Sequence, residues 1–288
     1  MHYKRYKSIL SPQNGMNLYR GCTHGCIYCD SRSVCYQFDH DFEDIEVKEN
    51  APEMLEAELR RKRKRCMIST GSMCDPYLHL EEELRVTRRC LEVIARSGFG
   101  LAILTKSARI LRDIDLLAEI NANARCVVQM TLTTRDDALC RVLEPNVSVT
   151  SERFEALCAM RERGIPTVVW LSPLLPFIND TRENMLGLLD YCVRAGVRGI
   201  VWFGAGMTLR EGDREYYYAA LDRHFPGLKR RYIEKFGNAY TCASDNDAEL
   251  TALLRAECEK RGILCGSDEV FAYMREFPEP DAGQLSLF

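Results

Sequence analysis

From Cys66 onward, short apolar runs alternate with amphipathic segments, and this alternation constrains the fold more than any other feature of the chain. Apolar runs too short for helices, each followed by a helical pattern, make repeated βα units, and repeated βα units build a parallel sheet. Strands are expected over 66–70, 100–105, 126–132, 167–171 and 199–203, with a first strand over 16–19. Helices are expected over 51–64, 82–97, 110–121, 151–163 and 181–195. The last is the most legible. Asp180 and Glu183 form a capping-box-like start, and Met185, Leu188, Leu189, Cys192 and Val193 recur at helical spacing to make one buried stripe. Gly164 and Gly196 stop the helices before them. Beyond Phe203 the pattern turns to helices alone, at 213–223, 228–236, 247–260 and 269–275, placed to close the open side or base of the sheet.

The segment after the first expected strand reads Tyr19-Arg20-Gly21-Cys22-Thr23-His24-Gly25-Cys26-Ile27-Tyr28-Cys29-Asp30. Its C-x3-C-x2-C spacing offers three thiolates to one inorganic centre. A structural zinc or an electron-transfer cluster normally takes four protein ligands, whereas a four-iron cluster held by three leaves one iron open. The competing reading is a closed zinc site with Cys35 or His24 as the fourth ligand. Such sites usually bring ligands as two short-spaced pairs, and no second C-x2-C or H-x3-H pair follows downstream. The isolated triplet therefore favours the cluster.

This spacing, with Tyr28 in the aromatic slot, resembles the C-x3-C-x-aromatic-C signature of the radical S-adenosylmethionine (radical SAM) superfamily. The resemblance implies a 4Fe-4S cluster on Cys22, Cys26 and Cys29 whose open iron chelates S-adenosyl-L-methionine, and an external electron donor of the flavodoxin or ferredoxin type. It also implies an α/β fold: a partial (β/α)6 TIM barrel over residues 1–205, here with a helical C-terminal extension over 206–277. In barrels of this kind chemistry collects at the C-terminal strand ends. Strand two ends in Ser69-Thr70-Gly71-Ser72-Met73-Cys74-Asp75-Pro76-Tyr77, where relatives bind the amino group of S-adenosylmethionine. Gly71 and Ser72 allow close approach there, and Asp75 is a carboxylate able to accept from an ammonium. The superfamily's usual Gly-Gly-Glu is missing, and a plain turn at Asp75-Pro76 is the alternative. Lys106, Thr131 and Thr133 at later strand ends are ribose, carboxylate or substrate contacts, or equally caps for the next helix.

Asn17-Leu18-Tyr19-Arg20, the cysteine loop, Asp75-Pro76-Tyr77, Leu104-Thr105-Lys106, Glu144-Pro145 and Pro173-Leu174-Leu175-Pro176-Phe177-Ile178-Asn179-Asp180 together resemble the spore-photoproduct-lyase-like branch, over roughly residues 10–205. For that branch the resemblance implies hydrogen abstraction from a cross-linked thymine pair and return of a hydrogen by a cysteine. Cys74 falls near that donor position, although Ser72 aligns better. A DNA photoproduct is the leading substrate on this basis; RNA, peptide and small molecules stay open.

Composition limits the partners. A formal net charge of −3 leaves no global footprint for nucleic acid, so DNA binding would rest on a local patch such as Arg60-Arg61-Lys62-Arg63-Lys64-Arg65, a run that also suits a solvated helix end. No uninterrupted apolar segment marks a signal peptide or a membrane span, which points to the cytoplasm. Fourteen cysteines then read as thiols and ligands, with Cys90, Cys140, Cys158, Cys192 and Cys258 as packing residues. Finally, Gln284-Leu285-Ser286-Leu287-Phe288, in a tail over 278–288, looks like the pentapeptide that docks bacterial repair proteins on the DNA sliding clamp. The same apolar residues folding back on the core is the alternative.

Overall fold

The structure is a computed structural model that describes residues 1–278; the expected clamp-docking segment lies outside the described residues. Six parallel strands form the central sheet in sequential order: β1 (Gly15–Met16), β2 (Met67–Thr70), β3 (Gly100–Thr105), β4 (Cys126–Thr131), β5 (Thr167–Trp170) and β6 (Gly199–Val201). The crossovers carry α1 (Ala51–Arg61), α2 (Val86–Ser97), α3 (Ile114–Asn123), α4 (Thr150–Glu162) and α5 (Arg182–Ala195). This is the expected partial (β/α)6 barrel. Alternation along each strand sends Ile68, Leu101, Ile103, Val128, Met130, Val169 and Ile200 into the layer shared with the helices. Met67, Ala102, Val127, Val168 and Val201 face the opposite way.

Four further helices follow: α6 (Asp213–His224), α7 (Leu228–Phe236), α8 (Asp247–Arg261) and α9 (Ser267–Arg275). The last fills the inner face, with Val270 and Met274 packing on the inward strand residues. It runs from Ser267, whose hydroxyl donates to Trp202 O at 2.7 Å, to Tyr273, whose carbonyl accepts from Arg125 just ahead of β4. The helix thus crosses the inner face from the C-terminal end of β6 to the N-terminal end of β4.

Several local expectations are corrected. The expected strand 16–19 splits into β1 and a separate strand, Tyr19–Arg20, which joins Glu46–Lys48 and His2–Lys4 in a small three-stranded sheet. The region after Phe203 is not purely helical: Gly206–Thr208 pairs antiparallel with Thr241–Ala243. Strands of three residues show too little alternation to read. The expected helix 82–97 breaks at Arg85, which takes a φ of 50° between Glu81–Leu84 and α2. Asp180 does not cap α5; the Thr181 hydroxyl accepts from Asn184 N at 3.2 Å, while Asp180 accepts from Ser244. In the α5 stripe Val193 is 38% exposed. The basic run ends α1 and precedes β2, so it lies at the N-terminal end of the sheet, away from the open mouth, and lends no charge to a ligand there.

Met274, only 4% exposed, is the deepest side chain that α9 contributes from its final turn. Met274→Ala is expected to lower the unfolding free energy by about 2–5 kcal/mol in a urea titration. A change below about 0.5 kcal/mol, the size of an ordinary surface effect, would show that α9 does not pack as described.

Candidate active site

The cysteine loop crosses the mouth of the barrel and is pinned through its backbone. Cys22 N donates to Phe42 O at 2.9 Å, Ile27 N to Leu143 O at 3.0 Å, and Asn146 N to His24 O at 3.1 Å. The Asn146 side chain adds a bond to Thr23 O at 2.9 Å. Beneath the loop lies a buried polar chain. The Tyr28 hydroxyl donates to Glu144, whose other oxygen accepts from Arg153 Nη2 at 2.5 Å. Arg153 in turn donates to Thr131 O at 2.9 Å and Ser148 O at 2.7 Å. Burial pushes the Glu144 carboxyl up, but Arg153, Lys106 and the Tyr28 hydroxyl together outweigh it and hold the group below its usual range.

A cavity of about 650 Å³ opens above the strand ends, within the roughly 300–1,000 Å³ of ligand sites. Cys26, Tyr28 and Cys29 line one side, and Ser72, Lys106 and Thr131 line the floor. Trp170 and Phe203, from the ends of β5 and β6, form an aromatic wall with ring centroids 5.9 Å apart. Gly206–Thr208 and Thr241–Ala243, the strand pair that sequence reading missed, supply the remaining side. Burial raises the Cys26 and Cys29 thiols, and a hydrogen bond from Cys74 lowers Cys22.

The remaining expected site residues lie elsewhere. Gly71 is a backbone requirement: at a φ of +100° a Cβ would sit 1.9 Å from Leu104 O. Asp75 is spent internally, accepting from Thr105 Oγ1, Lys106 N and Tyr77 N at 2.7–2.8 Å, and so ties the ends of β2 and β3 together. Thr133 is fully buried, and its carbonyl accepts from Asn179 and Asn184. Cys74 lies behind the loop, donating to Gly21 O at 2.8 Å and lining a separate cavity of about 280 Å³. Its thiol therefore does not face the main cavity. Tyr36 and Met73 line both cavities.

The zinc alternative is tested by spacing. A tetrahedral zinc with bonds of about 2.3 Å would hold its sulfurs roughly 3.8 Å apart. Among the described residues the three cysteines do not form a group with ligand atoms all within 4.8 Å. Of the candidate fourth ligands, Cys35 is exposed against Arg210 at 3.2 Å, and His24 faces Asp75 at 3.6 Å.

The radical SAM superfamily model matches residues 16–189. An uncharacterized protein of Mycobacterium tuberculosis is 32% identical over 227 residues, 77% of this chain and 66% of that protein. The match thus spans just under two thirds of that relative's length. The radical SAM Nalpha-GlyT isomerase of Pseudomonas phage M6 is 25% identical over 180 residues, 62% of this chain and 36% of the isomerase. A spore photoproduct lyase double mutant with bound AdoMet and dinucleoside spore photoproduct shares the fold, with a TM-score of 0.63 at 12% identity over 86% of this chain and 74% of that one. The protein carries a radical SAM domain. It belongs to the radical SAM superfamily, and its cofactors are a 4Fe-4S cluster and S-adenosylmethionine. Among the described residues no helix is long and apolar enough to cross a membrane.

Arg153→Met leaves Glu144 buried without its principal cation and is expected to cost about 3–5 kcal/mol. Glu144 in the native protein has a depressed pKa, so it contributes stability above its unfolded value near 4.5, which is lost as pH falls through the folded value. In the variant, burial dominates and raises that pKa. The deficit against the native protein should therefore be largest at neutral pH and shrink toward pH 4 in parallel thermal melts; a deficit independent of pH would contradict the pairing.

Proposed function

We propose that this enzyme abstracts a hydrogen atom from a modified pyrimidine nucleotide, in single-stranded or extruded form, seated against Trp170 and Phe203. When bound, the cluster and S-adenosylmethionine supply a 5′-deoxyadenosyl radical by reductive cleavage. The chain's own residues do the positioning. Tyr28, held by Glu144, fixes the loop carrying Cys26 and Cys29 on one side of the cavity. Ser72, Lys106 and Thr131 offer hydroxyl and ammonium donors along the floor to the polar ends of S-adenosylmethionine.

The observation that carries the substrate reading is the aromatic wall. Trp170 Nε1 donates to Gln129 at 2.8 Å, which fixes the indole, and Phe203 is 60% exposed at the cavity. A large exposed aromatic beside a ligand cavity is suited to stacking a base, whatever its sequence context. The spore-photoproduct-lyase-like sequence strings support the same class. A hydrogen-returning role for Cys74 is not part of this reading, because its thiol faces Gly21 and Cys22.

With a thymine-derived dinucleotide lesion as probe, Phe203→Ala should raise KM roughly 5- to 140-fold, the equivalent of losing about 1–3 kcal/mol of stacking. Release of 5′-deoxyadenosine without substrate should be unchanged. An unaltered KM, or no conversion of any pyrimidine lesion by enzyme that does cleave S-adenosylmethionine, would overturn the substrate class.

A further inference from the structure

The small sheet beside the cysteine loop gathers a second set of ligand atoms that the reaction does not use. One ligand atom each from His2, His40 and Glu46 lies within 4.8 Å of the others. Both imidazoles are oriented from behind. His2 Nδ1 is 2.9 Å from Asp44 Oδ2, and His40 Nδ1 is 2.9 Å from the Asp41 carbonyl. A ring nitrogen facing a pure acceptor must carry the proton, so each ring donates through Nδ1 and leaves an Nε2 lone pair free. His40 Nε2 is buried with no hydrogen-bond partner. Glu46 is fully buried; one oxygen accepts from the Tyr6 hydroxyl, and Oε2, which also meets the Lys4 ammonium, stands 3.7 Å from His2 Nε2.

Carboxylates face this point as well, with Asp44 already paired to the Met1 ammonium. Asp39 Oδ1 is 3.9 Å from His40 Nε2, and Asp44 lies behind His2. Lys4 Nζ approaches Glu46 Oε2 at 3.0 Å, but its side chain is 47% exposed, and a flexible stem can swing its ammonium into water. Two imidazole lone pairs and a buried carboxylate make a donor set matched to zinc.

We propose that His2, His40 and Glu46 bind a structural zinc ion, with Asp39 completing four-coordination. The ion ties the His2–Lys4 strand to the 39–46 segment, whose Phe42 carbonyl accepts from Cys22 N. It thereby braces the cysteine loop from outside. The inference is independent of the substrate reading.

The test uses the full chain carrying Cys22→Ala, Cys26→Ala and Cys29→Ala, so that zinc cannot enter the cysteine loop. After chelator treatment, equilibrium dialysis against zinc alone should show one ion per chain. Adding His40→Ala should abolish that binding, and Asp44→Asn should weaken it about 10- to 100-fold. No zinc bound at micromolar concentration, or equal affinity with His40→Ala, overturns the site. Should the His40 variant not fold, Co²⁺ added to the parent chain decides the question: visible d–d bands without thiolate charge transfer support the site, and their absence rules it out.

Discussion

The buried pair of Arg153 and Glu144 is the interaction on which the site depends. One guanidinium joins the end of β4 through Thr131 O, the segment before α4 through Ser148 O, and the cysteine loop through Glu144 and Tyr28. A guanidinium's planar fork can serve several acceptors at once, which a lysine in the same place could not. Desolvating both charges is expensive, and the cost is tolerable only because hydrogen bonds complete the set around them. In return, a loop of irregular backbone is held in one geometry over the barrel mouth, which is what a cluster with one open iron requires.

From that anchor the remaining architecture follows. Parallel strands deliver Ser72, Lys106, Thr131, Trp170 and Phe203 to a single edge, where they share a cavity with the cysteines, while α9 fills the inner face. Asp75 links the ends of β2 and β3 from inside rather than reaching toward a ligand. The nearest strongly basic segment, at the end of α1, lies on the wrong side to attract a polyanion to this mouth. Recognition of a nucleotide would then rest on the aromatic wall and on local hydrogen bonds.

Much of this was legible in the sequence because periodicity and spacing are local signals. The βα alternation located β2 to β6, and the cysteine spacing singled out the candidate cluster loop. What was not legible depends on tertiary placement. Arg153 occupies a position in a polar stretch of α4 that reads as solvated, yet it is fully buried. Thr133 and Asp75 look like ligand residues at strand ends, but Thr133 is fully buried with its carbonyl bound by the Asn179 and Asn184 side chains, and Asp75 accepts from Thr105 Oγ1, Lys106 N and Tyr77 N. The strand pair formed by Gly206–Thr208 and Thr241–Ala243 is invisible to periodicity because each partner has only three residues and they lie more than thirty positions apart. His2, His40 and Glu46 are likewise brought together by a sheet whose strands are too short to recognise.

The central claim is that three cysteines hold a four-iron cluster with one iron left open to S-adenosylmethionine. Electron paramagnetic resonance of the anaerobically reduced protein, recorded before and after S-adenosylmethionine is added, tests it most directly. A reduced 4Fe-4S signal whose g values shift on addition is the predicted result. A cluster signal unmoved by S-adenosylmethionine would show a fourth protein ligand on the cluster and contradict the account.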